Sequence, residues 1–137
     1  MEAYVHTVAY YETDKMGIVH HSNDIRWMEE ARIHYLDAIG WSYDELEAAG
    51  YYSPVVSVEC SYRSPSIFKD KIAITVGIEN MDGARITFSY DMKNEKTGRP
   101  VATARSVHCF LKTGGRFPIR IKDVPGSEAA LNQSGPR

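Results

Sequence analysis

The chain has 137 residues, of which 43% are hydrophobic, 11% aromatic and 25% charged, with a formal charge of −2 from 16 Lys and Arg against 18 Asp and Glu. That length supports one domain with its own core, and the near-neutral balance excludes a dedicated nucleic-acid binder, which needs a basic face. No apolar run is long enough to span a bilayer and no basic-then-apolar leader opens the chain. The two cysteines, Cys60 and Cys109, lie in strand-like runs without metal spacing, so the expectation is a cytoplasmic protein with free thiols.

Ala3 to Tyr10 reads A-Y-V-H-T-V-A-Y and predicts a first strand. Glu12 to His21 is a polar loop, with Gly17 suited to positive φ or to close backbone approach. A long helix follows. Ser22, Asn23 and Asp24 are good cap or first-turn residues, and no Gly or Pro interrupts before Gly40. Trp27, Met28, Ala31, Tyr35, Ala38 and Ile39 fall on one side, with Ile25 and Leu36 extending the arc. So wide an arc predicts a helix largely wrapped by other elements. Arg32 sits at the edge of that arc, where a charge needs a partner, and Glu29 is three residues back.

Ser42 and Glu45 form a capping-box pattern for a short second helix, about Tyr43 to Ala49, stopped by Gly50. Strands are expected over Pro54 to Tyr62 and Lys71 to Glu79. Asp82-Gly83 signals a hairpin into the alternating run Ile86, Phe88, Tyr90, Met92. Val101 to Lys112 is the last long strand, with the small residues Ala102, Ala104 and Ser106 on one face. Helices followed by a meander of strands argue an α+β fold, an antiparallel sheet wrapped around one long central helix. We expect a single domain over 1–122 and a loosely packed or disordered tail over 123–137, where Pro, Gly, Ser and Asn dominate. Both faces of several strands carry too few charges for full exposure, which predicts a homodimer.

The chemistry concentrates where the loop meets the helix. A helix N-terminus offers unsatisfied N–H groups and a partial positive potential, suited to a carbonyl oxygen under attack. Asp14 can attack that carbonyl or deprotonate a water, and His21 can supply its backbone N–H or its ring. The combination suits acyl transfer to water from an activated ester such as a thioester. A capping or turn role for Asp14 is the structural alternative. His20-His21 has no third ligand at a recognised spacing, so no metal is expected, and no nucleophile-elbow motif is present.

The run Tyr11-x-Thr13-Asp14-x-x-Gly17-Ile18-Val19-x-His21, followed by Trp27-Met28-Glu29-Glu30-Ala31-Arg32 and by Tyr62-Arg63-Ser64-Pro65, resembles the signature of the 4-hydroxybenzoyl-CoA thioesterase family of hotdog-fold proteins. The resemblance spans roughly Tyr4 to Ile121. It implies a hotdog homodimer or homotetramer that hydrolyses acyl-CoA thioesters without a cofactor. It assigns Asp14 as nucleophile or general base, and His21 as the helix-start position whose N–H polarises the carbonyl. Gly17 and Ile18 become loop positions against the substrate, and Arg85 and Arg63 candidates for the CoA phosphates, with Arg105 a weaker one. His20 and Asp24 depart from the family's usual aromatic residues and leave the acyl group open. Two alternatives remain within the fold: a module that binds acyl-CoA or acyl-carrier protein without hydrolysis, and a dehydratase pairing His21 with Asp14.

Overall fold

The computed structural model describes residues 3–134. Its elements in order are β1 (Tyr4–Thr7), α1 (Ser22–Ala38), α2 (Tyr43–Ala48), β2 (Tyr51–Tyr52), β3 (Val55–Tyr62), β4 (Lys71–Asp82), β5 (Arg85–Asn94), β6 (Pro100–Cys109), β7 (Leu111–Lys112) and α3 (Ser127–Ser134), with a 3-10 turn at Tyr10–Glu12 and another at Ile121–Asp123. Five strands form one antiparallel sheet in the order β1-β4-β5-β6-β3, and β2 pairs with β7 apart from it. This is the expected α+β hotdog architecture, with α1 packed on one sheet face.

Strand alternation decides that face. Ile72, Ile74 and Val76 of β4, Ile86, Phe88, Tyr90 and Met92 of β5, and Ala102, Ala104 and Ser106 of β6 are all buried. The register carries the same face onto β3, because Met92 pairs with Ala102 and Ala102 with Tyr62, while Ala104 pairs with Cys60. The facing stripe of α1 is Trp27, Met28, Ala31, Tyr35 and Leu36. Trp27 and Ala31 are fully buried. The hairpin is placed as Asp82-Gly83 predicts, with Asp82 opposite Arg85.

Four expectations are corrected. First, the helix is covered on one side only: Ile25 (43% exposed) and Ile33 (39%) face outward, whereas Asn23 and Asp24 are buried. The rest of the predicted arc is buried, Trp27, Met28, Ala31, Tyr35, Leu36 and Ile39, and only Ile25 and Ala38 fall outside it. Second, Arg32 does not pair with Glu29. It donates through Nη1 to the Tyr90 hydroxyl at 3.2 Å, which contacts Ser106 Oγ at 2.5 Å, and Ser106 Oγ in turn contacts His108 Nε2 at 2.7 Å. Burial, helped by the Arg32 charge, holds the His108 imidazole down at about 4, so this network is built around a neutral ring. Third, Ser42 makes no capping bond, and its hydroxyl goes to Asp37 Oδ1 at 2.7 Å.

The fourth concerns the tail. From Val124 to Ala130 the chain packs rather than dangles: Val124 is buried, and so are Ser127 and Ala130 of α3. Trp41 is the anchor, donating through Nε1 to the Pro125 carbonyl at 2.8 Å. Gly126 at φ +83° lies so close that an added Cβ would come within 2.9 Å of the indole. Residues 135–137 of the expected tail lie outside the described residues.

Candidate active site

Two short bonds shape the loop. Asp14 N–H donates to the Ile18 carbonyl at 2.9 Å, and Gly17 N–H donates to the Asp14 carbonyl at 3.0 Å. Thr13 and Val19 bridge across its base, and Gly17 turns the chain at φ +77°. Asp14 Oδ1 accepts from the Met16 N–H at 2.8 Å. This Asx turn fixes the carboxylate direction and leaves its second oxygen without a partner among the described residues.

The loop is fastened to α1 through Glu12. Its backbone carbonyl accepts from His20 N–H at 2.9 Å and from Asn23 Nδ2 at 3.0 Å. Its buried carboxylate accepts from His6 Nε2 and the Ala9 N–H at 2.8 Å each, and from Trp27 Nε1 at 2.7 Å. Burial works to raise the Glu12 pKa, but the His6, Ala9 and Trp27 hydrogen bonds outweigh it, and the carboxyl ends below its ordinary value.

His21 is the N-cap residue of α1. Its carbonyl accepts from the Tyr62 hydroxyl at 3.0 Å, and its ring stands edge-on to Tyr62 and stacks on His20. Its backbone N–H has no acceptor among the described residues. Asp14, Ile18 and His21 thus line one cleft of about 340 Å³ with Asp24, Tyr62, Arg63, Ser66 and Val101.

Of the residues singled out from the sequence, Asp14, His21, Ile18 and Arg63 come together. Gly17 is part of the turn but not of the cleft wall. Arg85 is elsewhere. It begins β5 opposite Cys109, at the other end of β6 from Val101, so its guanidinium belongs to the far end of this sheet. Arg105 is engaged by Glu79 at 2.9 Å and Glu59 at 3.6 Å.

Asp24, read from the sequence as a helix-start residue and as a departure that bears on the acyl group, has a further property that the sequence reading did not assign: it is a buried acid in the cleft wall. It is only 5% exposed, and burial pushes its carboxyl up to about 6; the Glu12 carboxylate adds to that rise, and Asp24's own backbone N–H opposes it. The signal was present in the spacing. Asp24, Met28, Ala31 and Tyr35 recur at i, i+4, i+7 and i+11, so an acid occupies the apolar stripe. Tyr62 lines the cleft from β3, and Cys60 precedes it by two residues on the same strand face. Burial raises both, Tyr62 to about 12, so both are neutral at working pH.

The chain as a whole is similar to known proteins. A family model described as the thioesterase-like superfamily matches residues 8–132. An Aquifex aeolicus (strain VF5) protein provisionally named an esterase is 35% identical over 111 residues, 81% of this chain and 85% of that one. The 1,4-dihydroxy-2-naphthoyl-CoA hydrolase of Thermosynechococcus vestitus is 26% identical over 121 residues, 88% of this chain and 82% of that one. Among solved structures, a DHNA-CoA thioesterase from Staphylococcus aureus superposes with a TM-score of 0.87 at 29% identity, covering 94% of this chain and 87% of that one.

Proposed function

Because the chain belongs to the thioesterase-like superfamily, we propose that it hydrolyses an acyl-CoA thioester in the Asp14 cleft, giving a free acid and CoA. The observation that carries this is the pairing, in one cleft, of a carboxylate oxygen and a helix-start N–H that both lack partners among the described residues. A thioester carbonyl fits between them. Its oxygen accepts from the His21 N–H, where the developing negative charge is stabilised by the helix N-terminus. Its carbon faces Asp14, which attacks it or takes the proton of an attacking water. Ile18, Val19, Pro65 and Val101 give the cleft its apolar wall, and Arg63 supplies a cation for the CoA phosphates. A dehydratase would want His21 and Asp14 paired, but the His21 ring packs on His20 and Tyr62 instead.

The test is thiol release by the purified chain across short, long and aromatic acyl-CoA esters. Turnover of at least one ester supports hydrolysis. Saturable acyl-CoA or acyl-carrier-protein binding with no thiol release overturns it in favour of a binding module. The cysteines Cys60 and Cys109 are both free, which supports a reducing, cytoplasmic setting. No described helix is long and apolar enough to cross a membrane.

The active form in this proposal is a dimer through β3. That strand is the longer of the sheet's two edges, it exposes Val55, Val56 and Val58, and the outward Ile33 of α1 lines a cavity with Val55. Antiparallel pairing of two β3 edges covers these residues. It also sets the Arg85 end of the second copy's sheet beside this cleft, so Arg85 serves CoA only in the dimer. Val58→Lys is expected to elute at the 15.5 kDa monomer mass, with the wild type at twice that. A variant that keeps the wild-type mass rules out this edge.

A further inference from the structure

Asp24 is unexplained by the chemistry above. It stands in the first turn of α1 on the stripe that faces the sheet, 5% exposed, yet it lines the cleft together with Asp14. Among the described residues no side chain hydrogen-bonds to it and no cation lies within 4 Å, and its only stabilising bond comes from its own backbone N–H. The groups that face it are the Glu12 carboxylate from the loop, the Cys60 thiol and Tyr62 hydroxyl from β3, and, around the cleft, Asp14, His21 and Arg63. Burying a carboxyl whose one bond comes from its own backbone N–H is costly, and such a group in a cleft is a candidate for chemistry.

We propose that Asp24 is the base that activates the hydrolytic water, while Asp14 is the nucleophile that takes the acyl group. The proposal rests on the thioesterase reading of the cleft and divides its labour between two carboxylates. Asp14 attacks the thioester carbonyl carbon and forms a C–O bond. The C–S bond breaks, the sulfur leaves as CoA thiolate, and the acyl group stays on Asp14 as a mixed anhydride. Water then adds to the anhydride carbonyl, and Asp24 accepts its proton as the new C–O bond forms. The anhydride C–O bond breaks, freeing the acid and returning Asp14 as carboxylate. Asp24 gives its proton to solvent, and no atom changes oxidation state.

Two features favour this division. Asp14 sits at the loop surface with one oxygen held in the Asx turn and one free, as a directed nucleophile needs. Asp24 lies deeper, where burial strengthens it as a base toward water near neutral pH.

The experiment is rapid-mixing measurement of thiol release by the full chain, wild type, Asp24→Asn and Asp14→Asn, with whichever of benzoyl-CoA and decanoyl-CoA the wild type turns over faster. Asp24→Asn is expected to release one thiol per chain in a burst and then to turn over roughly 10²–10⁴-fold more slowly than wild type. The intact mass after the burst should exceed that of the unreacted protein by the acyl group. Asp14→Asn should show no burst. Steady-state turnover of Asp24→Asn within threefold of wild type overturns the proposal, as does lost turnover without a burst in a folded protein. Removing a buried charge should leave the melting temperature at pH 8 at or above wild type. Should the variant nevertheless fail to fold, the wild-type profile decides: kcat must rise with pH through a midpoint near 6, and a flat profile between pH 5 and 7 overturns the assignment. A wild type silent on every ester, or an Asp14→Asn variant of full activity, defeats the thioesterase reading itself and is recognisable as such.

Discussion

Asp14→Asn is expected to lower thioester turnover by roughly 10³-fold or more, as removal of a group that bonds to or deprotonates a reactant does, and to leave the melting temperature unchanged. The structure separates the two effects. The bond that Asp14 makes to the protein through its side chain is the one from Met16 N–H to Oδ1, and an asparagine carbonyl oxygen accepts that hydrogen bond equally well. The Asx turn and the loop closure from Asp14 N–H to Ile18 therefore persist. What the amide lacks is a negative oxygen facing the cleft. The His21 N–H and the apolar wall remain, so substrate binding should weaken far less than kcat. The measurement is steady-state thiol release beside a thermal melt. Retention of more than a tenth of wild-type kcat removes Asp14 from the chemistry.

Much of this arrangement is legible in the residues, because the elements follow local rules. The alternation of β4 and β5, the Asp-Gly turn and the uninterrupted run from Ser22 to Ala38 each specify an element by period and punctuation alone. The loop–helix junction is legible for the same reason: a carboxylate and a histidine flank a helix start, and a start has free donors wherever it occurs. What is hidden depends on contacts between distant segments. Arg32 meets Tyr90 and not Glu29 because β5 crosses under α1 at that point, which helical spacing cannot report. Arg85 is a basic residue beside a turn in the sequence, but strand direction sends it away from Asp14. The tail is read as loose because its composition is polar and glycine-rich. The indole of Trp41, more than eighty residues earlier, gives Val124 and Pro125 something to pack on. Asp24 is the instructive miss: its spacing placed it on the buried stripe, and its chemistry made a cap the readier explanation.

Glu12→Ala is expected to produce the largest loss of stability, about 3–5 kcal/mol, the range for removing one partner from a buried charged network. For a chain of this size that corresponds to a fall of roughly 10–15 °C in Tm. Three donors converge on this carboxylate, from His6, Ala9 and Trp27, and Trp27 is fully buried, so its Nε1–H cannot turn to water instead. Truncation leaves these donors unsatisfied and opens a gap against a fully buried indole. The variant also removes an acid-sensitive contribution. The Glu12 carboxyl lies below its ordinary value in the folded chain, so its stabilisation is complete above the carboxylate range and is lost as pH falls through the folded value. His108 adds a separate loss at higher pH: its folded value near 4 lies below the unfolded 6.5, so stability falls as pH drops from about 6.5 towards 4. Urea unfolding as a function of pH distinguishes them. Glu12→Ala should keep the His108 limb and lose the more acidic one. A variant that is destabilised equally at pH 7 and at pH 3 would mean that the carboxylate charge contributes nothing and that packing alone accounts for the loss. Because the backbone of Glu12 also receives His20 and Asn23, loosening this residue should disturb the register between loop and helix, and thioester turnover should fall with it even below the melting temperature.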